Sequence, residues 1–211
     1  VKNRFGSTNE LGVFEMTSAG LGDVDDPSAT FIAERTSEPI GSVLVAALEG
    51  TRPLLTEMQA LTSSSFLPSP RRVTSGPEIN RMHLVCAVLG RKLGINLGNQ
   101  DVMLNLTGGL RIFEPAADLG IALSIASSAE NVPLISGLVV TGEIGLNGEV
   151  RSVPQVDLRI AEADRLGLKR IIIPASQSNK NLTSKSIEIV AISNIRQAFQ
   201  AALLKTRPRV Y

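Results

Sequence analysis

No feature limits the fold of this 211-residue chain more than the stretch from Asp101 to Pro174, where strand and helix patterns alternate with little slack between them. Val102, Leu104 and Leu106 alternate as a half-buried strand does. A helix follows from Pro115, because proline suits a first helical turn, and it runs through Leu119, Ile121, Leu123 and Ile125. Val139-Val140-Thr141 reads as a short buried strand, and Leu146-Asn147-Gly148-Glu149 as a turn. Pro154 opens a helix over about 155–166 that Gly167 ends, and Arg170-Ile171-Ile172-Ile173-Pro174 is a strand stopped by proline. Two short segments stand out. Glu114-Pro115-Ala116-Ala117-Asp118 has the shape of a turn that presents a catalytic serine, but it has no serine. Thr141-Gly142-Glu143-Ile144-Gly145 leads into a hairpin closed by Gly148-Glu149-Val150.

The flanks extend the pattern. Residues 42–49 and 52–61 flank Gly50-Thr51, a hairpin signal, and Pro53 implies that the second strand starts late or lies at an edge. Residues 62–77 are rich in Ser and Pro and read as an exposed loop. From Glu78 to Leu93, the spacing of Ile79, Met82, Leu84, Val85, Val88 and Leu89 predicts a helix, ended by Gly94. Ile187, Ile189 and Ala191 form a last strand, and Asn194 caps a helix to about Leu204. Near the start, Gly6–Asn9 are turn formers and Leu11–Met16 can be a returning strand. Residues 17–30 read as a linker, with a short anchoring helix near Asp26–Ile32. The organisation expected is an end of an upstream domain plus linker at 1–36, one α/β domain of mixed strand direction at 37–205, and a tail at 206–211. The chain starts with Val rather than Met and is expected to be a piece of a longer protein.

Composition removes several classes. The net charge of +1 leaves no overall polyelectrolyte, so nucleic acid must be met by a local patch. One cysteine, Cys86, excludes an internal disulfide and suits a reducing compartment. His83 lies three residues from it on one helix face, but with no second histidine or cysteine the pair is a packing or boundary feature rather than a metal site. No phosphate loop of the Gly-x-x-x-x-Gly-Lys type occurs, so the chain has no nucleotide cradle of its own.

Lys2-Asn3-Arg4-Phe5-Gly6, with Gly12-Val13-Phe14-Glu15-Met16 downstream, resembles the signature motif of the RadA/Sms family of bacterial and organellar recombination proteins. The resemblance implies that 1–36 is the end of a RecA-like ATPase domain in a hexameric motor. Lys2 and Arg4 would then reach the ATP of the neighbouring subunit, as arginine fingers do. ATP and Mg would belong to the parent protein, and this piece would hold no cofactor or metal itself.

The remainder, strongest over 101–174, resembles the proteolytic domain of Lon proteases, a mixed sheet with packed helices. Lon proteases have Gly-Pro-Ser-Ala-Gly at the helix start, with Ser as nucleophile. Here Ala116 takes the serine position and, counted from Gly142-Glu143-Ile144, Asp157 takes that of the catalytic lysine. A Ser–Lys dyad needs a hydroxyl to attack and an amine to take its proton, and both are missing. Ser124 lies eight residues along the helix, about 12 Å away at the normal rise. Glu114, Asp118, Glu143 and Asp157 would crowd the former site. They could pair with Arg111, Arg151 or Arg159, within the chain or across a subunit boundary, or be ordinary surface ion pairs.

Between residues 63 and 100 lie Arg71, Arg72, Arg81, Arg91 and Lys92, against one acid, Glu78. These five cations are the candidate DNA-binding residues, suited to phosphate rather than base contact; the alternative is a solvated loop and outer helix face. The family implies single-stranded or branched DNA, further copies in a homohexamer and a RecA-type recombinase as partners. Branch migration in recombination and repair is the implied process, driven by a DNA-dependent ATPase or helicase. The bacterial cytoplasm, or a plastid or mitochondrion in a plant, is the implied location. A Lon-like serine peptidase and an oligomerisation module without DNA contact are the competing readings.

Overall fold

The computed structural model describes residues 14–17, 20–23, 26, 28–29, 32, 40–50, 52–178 and 186–203. Strands β1 (Phe14–Thr17) and β2 (Gly20–Asp23) form a small antiparallel hairpin. β2 therefore falls where a linker was expected. The Lys2–Gly6 motif lies outside the described residues.

The main sheet has seven strands: β3 (Ser42–Glu49), β4 (Arg52–Ser64), β5 (Arg72–Ser75), β6 (Gln100–Leu106), β7 (Leu138–Val140), β10 (Arg170–Pro174) and β11 (Glu188–Ile192). Their order is β11-β10-β7-β3-β4-β6-β5. β11, β10, β7 and β3 run parallel, β4 is antiparallel to β3 and β6, and β5 runs parallel to β6. Between β7 and β10, β8 (Glu143–Ile144) and β9 (Val150–Arg151) make a separate short hairpin.

Helices α1 (Ile79–Leu93), α2 (Asp118–Glu130) and α4 (Ile195–Ala202) pack on one face of the sheet, and α3 (Val156–Arg165) on the other. Strand alternation divides the core. Val43 and Val45 join Met82, Val85, Leu119 and Ile125, whereas Leu44 and Ala46 join Val156, Ile160 and Ala163. α3 leaves the far half of its face open. There Leu61, Met103 and Val73 sit side by side in register across β4, β6 and β5, and are 61%, 38% and 49% exposed.

The hairpin around Gly50, the α1 stripe, the glycine stop at Gly94 (φ 76°) and the Asn194 cap all form as the pattern predicts; the Asn194 side chain accepts from the Gln197 amide at 3.0 Å. Of the expected anchor near Asp26–Ile32, the described residues make two contacts: the Asp26 carboxylate meets Arg165 at 2.8 Å, and the Ser28 hydroxyl accepts from the Leu55 amide at 3.1 Å. Two expectations change. Residues 62–77 are not one loop, because β4 continues to Ser64 and Arg72–Ser75 adds an edge strand beside β6. β4 is neither late nor at an edge, despite Pro53. Pairing with β6 begins only at Met58, so the missing amide of Pro53 interrupts no ladder bond on that side.

Candidate functional site

The turn at residues 114–118 is built as a closed structure. A short 3-10 turn over Pro115–Ala117 leads directly into α2. The Gly142 amide donates to the Ala116 carbonyl at 2.9 Å, and the Leu119 amide donates to the Gly142 carbonyl at 3.1 Å. This zips the turn onto the segment before β8. Ala116 is buried with Val153, Val156 and Ile160 rather than presented to solvent.

Two ion pairs hold the turn from opposite sides. Arg159 of α3 is fully buried, and two of its nitrogens donate to the Glu114 carboxylate at 2.9 and 2.6 Å. The same guanidinium donates to the Pro154 carbonyl at 3.1 Å and to that of Ala46. Glu114 also accepts from the Leu48 amide at 2.7 Å. On the other side, the buried Asp118 accepts from Arg81 of α1 through two nitrogens, and from the Ile144 amide at 3.1 Å. Burial pushes the Asp118 carboxyl up against the opposing pull of Arg81, while the carboxylate holds the Arg81 guanidinium above its usual range. Position at the start of α2 adds favourable dipole interaction with the Asp118 charge.

These are not exposed surface pairs. Arg159 meets Glu114 within one chain, with the guanidinium wholly out of water. The pairing of Arg81 with Asp118 was not visible in the sequence, because 37 residues separate them and only the packing of α1 against α2 joins them. Glu143 and Arg151 approach no closer than 4.0 Å, and Arg151 meets Glu149 at 2.6 Å. Asp157 and Arg111 are exposed.

Nucleophile candidates near the turn are few. Ser124 is buried and donates to the Ile121 carbonyl of its own helix at 3.1 Å. Thr141 Oγ1 is the one buried side-chain oxygen or nitrogen without a hydrogen-bond partner among the described residues, and no solvent reaches its side chain. Among those residues no three His, Cys, Asp or Glu side chains converge as metal ligands, and no helix is long and apolar enough to cross a membrane.

The basic residues separate into two places. Arg72 opens β5, next to Arg71. A cleft of about 450 Å³ is lined by Arg72, Cys86, Gly90 and residues 94–98, while Arg91 and Lys92 lie in the last turn of α1, with the Lys92 stem beside Gly148. Arg81 lies in the first turn of that helix, about 15 Å away at the normal rise. Arg72 is also committed locally: it donates to the carbonyls of Leu97 at 2.6 Å, Gln100 at 2.5 Å and Arg71 at 2.9 Å. Arg71 and Arg91 are exposed. Lys2 and Arg4 lie outside the described residues.

Fold and site together define a mixed α/β domain with a mostly parallel sheet, in which a serine-less helix-start turn is fixed by two buried or half-buried ion pairs. The family model described as Subunit ChlI of Mg-chelatase matches residues 82–177, the stretch that contains this turn. The chain is 48% identical over 203 residues to the DNA repair protein RadA of Halalkalibacterium halodurans, covering 96% of this chain and 44% of that protein. It is 45% identical over 203 residues to the DNA repair protein RadA of Bacillus subtilis, with the same coverage. To that of Streptococcus pneumoniae it is 42% identical over 200 residues, 95% of this chain and 48% of the relative. The chain spans less than half the length of these relatives, and over that span it belongs to the RadA family of DNA repair proteins.

Proposed function

We propose that this domain is the scaffold and DNA-contacting part of a hexameric, ATP-driven DNA motor that promotes branch migration in homologous recombination and repair. In this reading the domain has a Lon-protease-like fold that no longer cleaves peptides. The observation that carries it is the turn at 114–118, where Ala116 is buried against α3 and the Arg159–Glu114 pair fills the adjoining space. Asp157 offers no amine, and neither Ser124 nor Thr141 has access to a substrate. ATP and Mg fall to the rest of the parent protein, with Lys2 and Arg4 reaching the neighbouring subunit's nucleotide. The partners are single-stranded or branched DNA, further copies of the chain and a RecA-type recombinase, in the bacterial cytoplasm, since the relatives named above are bacterial.

The DNA contact is assigned to Arg71, Arg91 and Lys92, with Arg72 and Arg81 holding the fold. Light scattering of the chain is expected to give a mass several times that of a monomer. In gel shifts, Arg71→Ala/Arg91→Ala/Lys92→Ala weakens duplex and forked DNA equally, with a shallower salt dependence. A second reading, an oligomerisation module without DNA contact, is favoured by the open apolar row of Leu61, Met103 and Val73. Oligomers that ignore DNA at every salt concentration would select it, and a monomer that ignores DNA would remove both.

A further inference from the structure

We propose that the cleft between the end of β5 and residues 109–113 binds one unpaired nucleotide of single-stranded nucleic acid, with Phe113 stacked on the base and Arg111 and Ser75 on the phosphate. The cleft measures about 440 Å³, within the size of a small-ligand site. Thr74, Ser75, Gly76, Arg111 and Phe113 all line it. The segment that carries the last two is extended: the Ile112 amide donates to the Gly76 carbonyl at 3.2 Å, and Ile112 bridges Pro77 in parallel. Ile112 packs against the core, so its neighbours Arg111 and Phe113 project together to the opposite side, over the cleft.

Phe113 is 70% exposed in a chain with six phenylalanines, one tyrosine and no tryptophan. A ring left in water beside a cation and a hydroxyl is the pairing that base and phosphate require. No acidic residue lines the cleft. Of the carboxylates next to lining residues in sequence, Glu114 turns inward onto Arg159, and Glu78 accepts from the Asn80 amide group at 3.3 Å. The cleft lies at the Ser75 end of β5, whereas Arg71 and Arg72 lie at its start. The site is therefore distinct from the phosphate-binding patch proposed above, and shares with that reading only the choice of nucleic acid as ligand.

The test is fluorescence anisotropy of the whole chain with a labelled oligo-dT, a duplex of equal length, and ATP alone, at one salt concentration. Phe113→Ala weakens oligo-dT binding about tenfold while leaving the duplex within about twofold, and Phe113→Tyr restores it. Arg111→Ala weakens oligo-dT binding and lowers its salt slope by about one. Folded Phe113→Ala protein that binds oligo-dT as the wild type does overturns the assignment. So does Phe113-dependent saturation by ATP with no gain from the polymer, which marks a free-nucleotide site. Loss of binding in the Arg71/Arg91/Lys92 variant but not in Phe113→Ala defeats this inference and leaves the proposed function standing. A wild type that binds neither polymer defeats both.

Discussion

Arg159 and Glu114, 45 residues apart, form a bidentate ion pair beneath the helix-start turn, with the guanidinium fully buried and the carboxylate also held by the Leu48 amide. The pair ties α3, β3 and the turn at one point. Arg159→Met removes the cation and strands the carboxylate and two carbonyls, for a loss of about 3 kcal/mol in urea unfolding. Glu114→Gln/Arg159→Met recovers part of it, and Arg159→Lys does not replace the two-nitrogen grip.

Arg81→Ala leaves Asp118 buried without its counter-ion, for a loss of about 3 kcal/mol at neutral pH. The Asp118 carboxyl is already pushed up by burial and rises further without Arg81. A raised carboxyl favours the protonated native state, so the deficit is largest above the Asp118 pKa and shrinks as pH falls through it. Unfolding of wild type and variant at neutral and mildly acidic pH reads this directly; a deficit that grows on acidification contradicts it.

Gly120 lets α2 lie close against β3. A Cβ there would fall 2.0 Å from Val45 Cγ1. Gly120→Ala is expected to cost about 1–3 kcal/mol despite the better helix propensity of alanine. Pairing it with Val45→Ala restores part of the melting temperature by making room.

Arg71 and Arg72 are adjacent but serve different ends. Arg72→Ala frees the carbonyls of Leu97 and Gln100 and lowers stability. On the proposed DNA contact, Arg71→Ala is expected to leave the melting temperature unchanged and to weaken DNA binding. Thermal unfolding and gel shift on the two single variants separate the roles.

Burial pushes the Cys86 thiol up, with Arg72 partly opposing it. Thiol labelling of the native chain should lag behind a free cysteine at neutral pH and keep rising above the ordinary thiol value of about 8.5. Equal rates in native and urea-unfolded protein would refute the shift. The chain has one cysteine, so the signal needs no assignment.

Local chemistry carried most of the secondary structure into the sequence. The α1 stripe, the cap at Asn194 and the turn at Gly148 were legible because each depends on residues a few positions apart. β5 was not, since four residues of Arg72–Ser75 become a strand only when β6 supplies their ladder. The same limit governs the charges. Proline and the apolar spacing after it were enough to put the carboxylates at 114 and 118 on either side of a helix-start turn. Only packing brings an arginine from another helix to each of them, Arg159 to Glu114 and Arg81 to Asp118. Ion pairing and burial depend on distance in space, which spacing along the chain does not encode.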